Sequence, residues 1–113
     1  MVRVRKVIVV LVACPTVAVA RRLARRLIER RLAACVNAVP AVESTFRWQG
    51  KIEQCRETLL LIKTAAARFE PLRRAIKSLH PYDVPEIIAL PLVAGHAPYL
   101  KWVGKSTDER VSE

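Results

Sequence analysis

The chain has 113 residues, 52% hydrophobic and 27% charged, which predicts one folded domain over residues 1–113 and excludes intrinsic disorder. Lys and Arg number 20 against 10 Asp and Glu, so the net charge is +10, a balance that attracts polyanions but says little about fold. The longest apolar run, Val7–Cys14, is too short to span a bilayer and no small-residue cleavage site follows it, so we expect a cytoplasmic protein.

The chain opens with the pattern of a strand followed by a helix. Val4–Ala13 is rich in Val and ends before Pro15, which is typical of a central strand buried on both faces. In Val17–Leu32 the apolar residues recur with the period of a helix, and Arg residues fill the opposite face. We therefore predict a strand and an amphipathic helix that packs on it.

A long hairpin follows. Cys35–Trp48 and Lys51–Thr64 have the composition of strands, and the Gln49-Gly50 turn between them places Gly where a positive φ is needed. Pro40 marks a bend or an edge position. With this turn Glu43 faces Arg56 across the strands, a pairing that favours the register.

The hairpin is longer than its own domain. Each arm has 14 residues and extends roughly 46 Å if unbroken, whereas a compact chain of this length has a diameter near 35 Å. The tip carries Phe46 and Trp48 among charged residues. Exposed aromatics on a protruding hairpin need a partner surface, and self-association is the simplest source of one.

The remaining segments complete the order of elements. A second amphipathic helix has Pro71 in its first turn and ends at His80-Pro81. Pro85–Pro91 is a short apolar strand, and Pro98–Val103 adds one or two helical turns. Ser106–Glu113 lacks apolar periodicity and is predicted to be a loose tail.

The order β-α-β-β-α-β predicts an α+β, ferredoxin-like fold. It has an antiparallel sheet, a protruding hairpin and a short C-terminal helix. Because each of the two main helices has a single apolar stripe, we expect both to cover the same face of the sheet.

Several long motifs, in order along the chain, resemble the CutA family of divalent-cation tolerance proteins. They cover most of the chain, from the first strand to Val103. They run through Arg31-Leu32-Ala33-Ala34-Cys35-Val36-Asn37, Ser44-x-Phe46-x-Trp48-x-Gly50-Lys51-Ile52-Glu53, Leu61-Ile62-Lys63-Thr64, His80-Pro81-Tyr82-x-x-Pro85-Glu86-Ile87-Ile88-x-Leu90-Pro91 and Tyr99-Leu100-x-Trp102.

The resemblance implies a homotrimer that is similar to the PII signalling proteins and has no established reaction. It also implies copper binding, which is attributed to some members. The copper ligands of the family are a first-strand Cys, a His just before His-Pro-Tyr and the Glu after the second proline of that motif. The matching positions here are Val12, Leu79 and Glu86, so only the carboxylate is present.

His80 and Glu86 are the candidate metal ligands. On one interpretation His80 is a metal ligand or an acid–base group, helped by Glu86 six residues later. On the other, His80 is a helix-terminal histidine whose ring bonds nearby carbonyls. One His and one carboxylate are an incomplete ligand set, so the second interpretation is favoured.

Aromatic and basic residues from the motifs form the second candidate site. Two interpretations remain open, an intersubunit cleft that binds a ligand and a set of interface anchors, and the large contact area of Trp and Tyr favours anchors. The set comprises Trp48, Lys51, Lys63, Tyr82, Tyr99 and Trp102.

Other function classes lack their signatures. The three cysteines form no C-x-x-C pair, which argues against a zinc site, a disulfide framework and a copper chaperone. Cys14-Pro15-Thr16 cannot form the Gly-rich anion loop of an acylphosphatase. No RNA-recognition strand with interleaved aromatics occurs, so nucleic acid is a disfavoured partner and the Arg-rich helix face is interpreted as solvated.

Two non-enzymatic functions remain. One is a CutA-type protein that responds to metal ions, with copper or another divalent cation bound through Glu86 and His80 or a cysteine. The other is a PII-like signalling or scaffold trimer that binds a small anion or a partner in clefts between subunits.

Overall fold

The computed structural model describes residues 6–110, so Val4 and Arg5 of the predicted first strand and residues 111–113 of the predicted tail lie outside the described residues. The elements follow the predicted order, and the fold is α+β with a four-stranded antiparallel sheet. They are β1 (Val7–Cys14), α1 (Val17–Glu29), β2 (Cys35–Trp48), β3 (Lys51–Ala65), α2 (Phe69–Leu79), β4 (Ile87–Pro91) and α3 (Ala97–Ser106), and a 3-10 turn at Ala66–Arg68 precedes α2.

The sheet has the strand order β2-β3-β1-β4, which places β1 and β3 in its centre. Side chains alternate between the two faces of a strand, and the even-numbered residues of β1 and β3 point to one face. Val10 and Val12 pair there with Ile62 and Leu60. All four are fully buried with residues of α1 and α2. Both helices therefore cover the same face, as predicted.

The first helix ends earlier than predicted. It begins after Thr16, whose Oγ1 accepts a hydrogen bond from the Val19 amide at 3.1 Å. It ends at Glu29 rather than Leu32, because Arg31 adopts a left-handed conformation with φ 55°. The Leu32 amide then donates to the Leu27 carbonyl at 2.9 Å, a closure that usually employs Gly.

The hairpin contains a bulge at the predicted bend. The register between β2 and β3 shifts between Val39 and Val42, and Ala41 has φ 59°. Beyond the bulge Glu43 pairs with Arg56, as predicted. The bulge reverses the alternation of side chains along β2. Before the bulge, odd-numbered residues such as Val39 lie on the same face of the sheet as Leu59. Beyond it, even-numbered residues such as Trp48 lie on that face.

The hairpin extends beyond the rest of the fold. The molecule measures 53 × 27 × 22 Å, and residues 42–56 are exposed or half-buried throughout. The remaining strand segments lie in the body of the domain. The hairpin is therefore longer than the body of its domain, as predicted.

The last helix is longer than predicted and packs on the opposite face of the sheet from α1 and α2. It contacts β1 and β3, where Val103, Val7 and Ala65 are buried. The predicted tail begins inside this helix, since Ser106 is its last residue. Thr107 is only 1% exposed, and its Oγ1 donates to the Val103 carbonyl at 2.9 Å.

The rest of that face has no cover within the described residues. We call it the uncovered sheet face. Its apolar members are half-buried or exposed: Val9, Leu11, Val39, Leu59, Leu61, Ile88 and Leu90. Along residues 6–110, none of the helices has the length and apolar character that crossing a membrane requires.

Candidate functional site

An open groove of about 860 Å³ lies between the distal part of the hairpin and the segment of residues 81–86 that leads from α2 to β4. Five carboxylates contribute to its walls, together with the aromatic rings of Phe46, Trp48 and Tyr82. We call it the carboxylate groove, and its acidic residues are Glu43, Glu53, Glu57, Asp83 and Glu86.

Strand geometry positions one wall of the groove. Glu53, Cys55 and Glu57 alternate along β3 and so point to the same face. Glu57 lies opposite Val42, just beyond the last pair of β3 with β1, and is only 8% exposed. Its Oε2 accepts a hydrogen bond from the Tyr82 hydroxyl at 3.0 Å. This bond joins the hairpin to the segment after α2.

His80 attaches the same segment to β1. It is 7% exposed, and its Nε2 lies 2.8 Å from the Ala13 carbonyl oxygen. The Tyr82 amide donates to its Nδ1 at 3.1 Å, so Nε2 carries the proton and donates to Ala13. Both ring nitrogens are used within the fold. A metal ion could reach His80 only by displacing one of these bonds.

Burial first, and the Glu57 carboxylate second, raise the pKa of three groups near the groove. Burial, with the hydrogen bond to Glu57, raises the pKa of Tyr82 to about 12. Burial and the charge of Glu57 raise the pKa of Cys14 to about 11. The pKa of Cys55 is also raised, by desolvation first and then by the charges of Glu57 and Glu53. These groups therefore stay protonated at neutral pH, and neither thiol is activated as a nucleophile.

The predicted metal residues do not form a complete ligand set. Glu86 lies in the groove wall and is exposed, but His80 is turned to the backbone of β1. Val12 is fully buried and Leu79 packs against the core, as apolar residues do. Within residues 6–110 no three His, Cys, Asp or Glu side chains lie close enough together to hold a metal ion.

The predicted cleft residues separate into two groups. Trp48 and Tyr82 line the carboxylate groove, and Lys51 lies opposite Trp48 in the register. Trp48 is 50% exposed. The structure thus brings half of the predicted set together around the groove.

The other three residues of the predicted cleft, Lys63, Tyr99 and Trp102, lie at the opposite end of the sheet, around α3. The rings of Tyr99 and Trp102 are 5.6 Å apart and both side chains remain exposed. Burial and the nearby Cys35 raise the pKa of Tyr99. The Lys63 ammonium donates to the Asn37 side-chain oxygen on the adjacent strand. This group extends the uncovered sheet face with polar and aromatic side chains.

Sequence reasoning missed most of the carboxylates in the groove. Glu57 and Tyr82 meet only because the chain returns from α2 across the end of β1. The alternation of Glu53, Cys55 and Glu57 in a predicted strand was the available signal, since it places three ionisable groups on one face.

Known proteins are similar to this chain over most of its length. The family model described as CutA1 divalent ion tolerance protein matches residues 8–106. A Thermus thermophilus protein named divalent-cation tolerance protein CutA is 50% identical over 99 residues, 88% of this chain and 96% of the relative. A Xenopus laevis CutA homolog is 48% identical over 87% of this chain, which spans 65% of that longer protein.

The fold is similar to a solved structure as well. The divalent cation tolerance protein from Thermus thermophilus superposes with a TM-score of 0.87 at 48% identity. The match covers 88% of this chain and 97% of that one.

Proposed function

The chain belongs to the CutA1 divalent ion tolerance protein family, and from this premise we propose that it is a non-enzymatic homotrimer, located in the cytoplasm, that binds divalent cations in the carboxylate groove. The Thermus thermophilus relative and the Thermus thermophilus structure named above are described as divalent-cation tolerance proteins, and a response to metal ions is the corresponding function proposed here.

One observation supports cation binding above the others. The chain has a net charge of +10, yet five of its ten acidic residues line a single groove. One of them, Glu57, is buried and holds a hydrogen bond within the wall. Carboxylate oxygens are favourable ligands for divalent cations, and their joint charge raises the local cation concentration.

Glu86 is the proposed principal ligand. Its carboxylate is exposed on the groove wall, and the matching family position supplies a copper ligand in the resemblance described above. His80 would coordinate the cation only if its hydrogen bond to the Ala13 carbonyl broke. A second chain would supply the further ligands. Copper or another divalent cation bound in this way is held weakly, because the family's Cys and His are Val12 and Leu79 here.

The uncovered sheet face supports the homotrimer. It exposes apolar residues from all four strands, and the aromatic rings of Phe46 and Trp48 continue it along the hairpin. A contiguous apolar surface of this kind is typical of a protein interface. Trp48, Tyr99 and Trp102 are the proposed anchors, since their rings are exposed in the single chain.

Calorimetric titration with copper, zinc and a nucleotide tests the cation site. We expect copper binding that weakens at least about tenfold in Glu86→Gln, because a ligand is lost. Glu29→Gln is the matched control, since Glu29 is an exposed carboxylate on α1 paired with Arg25 at 3.4 Å.

Two results would contradict the proposal. Equal copper affinity in wild type and Glu86→Gln would show that the groove is not the site. Binding of the nucleotide without binding of copper would favour the PII-like anion scaffold, which the carboxylates of the groove oppose by charge repulsion.

A further inference from the structure

The outer face of the helix layer is strongly basic. Within and just after α1 five arginines are exposed, against the single acid Glu29. They are Arg21, Arg22, Arg25, Arg26 and Arg30. Their side chains lie opposite the apolar stripe of Ala20, Leu23 and Leu27, which is fully buried in the core.

Most of this charge is not neutralised within the described part of the chain. Arg25 pairs with Glu29 at 3.4 Å. Arg22, Arg26 and Arg30 make no ion pair with an acid of residues 6–110. These three are therefore available to an external anion.

The spacing of these three is unfavourable for an isolated helix. They follow one another at four-residue intervals, so their side chains form one row about 12 Å long. Like charges four residues apart destabilise a helix. An external polyanion would convert this repulsion into attraction.

The second helix extends the basic surface. α2 contacts α1 on the same side of the sheet, and its Arg74 and Lys77 are exposed. Its Arg73 is paired with Glu70. The acidic residues of the groove, by contrast, lie along the hairpin and residues 81–86. The acids of α1 and α2 are Glu29 and Glu70, which each pair with an arginine, so the outer face of the two helices keeps a large positive excess.

We propose that the row of Arg22, Arg26 and Arg30 on α1, with Arg74 and Lys77 of α2, binds the phosphate backbone of nucleic acid without recognising its sequence. Guanidinium groups form forked hydrogen bonds with phosphate, and rows of cations bind polyanions by releasing counterions. The lack of a base-stacking strand disfavoured nucleic acid as a partner at the level of sequence. Backbone binding needs no such strand.

An anionic membrane fits this surface less well. Helices that bind bilayers insert their apolar face between the lipids. The apolar face of α1 is occupied by the core, since Leu23 and Leu27 are fully buried. The exposed surface of α1 therefore attracts a partner by charge alone, and the phosphates of a nucleic acid are more closely spaced than those of a lipid surface.

Fluorescence anisotropy with two unrelated labelled duplexes of equal length tests the proposal on the intact protein. We expect both to bind alike, with an affinity that falls steeply with salt. In the triple variant Arg22→Gln, Arg26→Gln, Arg30→Gln the dissociation constant should rise at least about tenfold at low salt, and the salt slope should shrink by about 2.7.

The matched control removes three positive charges elsewhere, as Arg47→Gln, Lys101→Gln, Lys105→Gln, and should lose much less affinity. An equal loss in both variants would show that net charge alone is responsible and overturn the proposal. Absence of binding at about 50 mM salt would overturn it too. So would cosedimentation with phosphatidylcholine–phosphatidylglycerol vesicles without duplex binding, which would identify a membrane as the partner.

Discussion

The two halves of the hairpin share the pairing of β2 with β3 but have opposite surroundings, because β3 also pairs with β1 in the half near the domain. In the half near the domain, β3 contributes Leu60 and Ile62, which are fully buried beneath the helices. In the outer half, Ile52 of the same strand is 69% exposed and Trp48 of β2 is exposed as well. The backbone hydrogen bonds between β2 and β3 are therefore common to both halves, whereas a third strand and buried side chains belong to the inner half alone.

The difference shows what a sheet needs to be stable. A two-stranded ribbon is marginal in water unless a further layer covers one of its faces. The inner half has that layer in α1 and α2. The outer half has none within the described residues of its own chain, so we expect a second chain to supply it.

The largest effect is expected from Trp48→Ala. If the outer half is covered by another subunit, the lost ring contact costs about 3–5 kcal/mol per chain. The variant should dissociate in sedimentation velocity, and its melting temperature should become more dependent on concentration. Ile52→Ala is the matched control, because Ile52 lies at the same tip on the opposite face. Equal behaviour of the two variants would refute a specific Trp48 interface.

Leu60→Ala tests the inner half. Leu60 is fully buried in the core of its own chain, so we expect a loss of about 2–5 kcal/mol in unfolding free energy. The sedimentation coefficient should stay that of the wild type, and the loss should be similar at every protein concentration. Thr45→Ala, on the outer half, provides the control. Dissociation of the Leu60 variant would mean that core and assembly are coupled.

Tyr82→Phe tests the contact at the boundary between the two halves, where Glu57 of the hairpin binds Tyr82 of the segment after α2. Removal of the hydroxyl leaves the buried Glu57 carboxylate without its 3.0 Å donor. We expect the free energy of unfolding, measured by chemical denaturation, to fall by about 1–3 kcal/mol. Tyr99→Phe, an exposed tyrosine, should change stability by less than about 0.5 kcal/mol. A stable Tyr82 variant would show that the bond contributes nothing.

Alkaline pH should weaken the same contact gradually. Folding raises the pKa of Cys14 from 9.0 to about 11 and that of Tyr82 from 10.0 to about 12. The folded state then binds more protons, so this stability is complete below about pH 9 and is lost as the pH rises through about 11 and 12. Urea unfolding from about pH 8 to about pH 11 measures it, and Tyr82→Phe should show a shallower decline. A pH-independent midpoint would contradict the assignment.

Local patterns were sufficient to predict most of the fold. Charge and turn residues predicted the Glu43–Arg56 pairing, and Pro40 indicated the bend, because these signals lie within a few residues of the structure they determine. The predicted end of α1 was wrong because the left-handed position is occupied by Arg31 and not by Gly. Thr107 is buried by α3, which no periodicity in the tail indicates.

The candidate site was less predictable than the fold. Trp48, Tyr82 and Glu86 were named from motifs and lie together around the groove. The contact of Tyr82 with Glu57 joins residues 25 apart in the chain, and it depends on where α2 ends and on the direction of the chain after it. Tertiary contacts of this kind carry no local signal. For the same reason the motifs did not indicate that Tyr99 and Trp102 lie at the other end of the sheet.

The bulge at residues 39–42 also determines how the hairpin tolerates changes in length. Because it reverses the alternation of β2, Phe46 and Trp48 point to the side of Leu59 and Leu61. Deletion of Ala41 would remove the bulge but leave the pairs of Phe46 with Glu53 and of Trp48 with Lys51 unchanged, so both rings would keep their face. Insertion of two residues in each arm beyond the bulge would lengthen the hairpin and keep its faces. One residue added to each arm would instead move both rings to the helix side, so insertions of one and of two residues per arm are expected to differ in their effect on this surface.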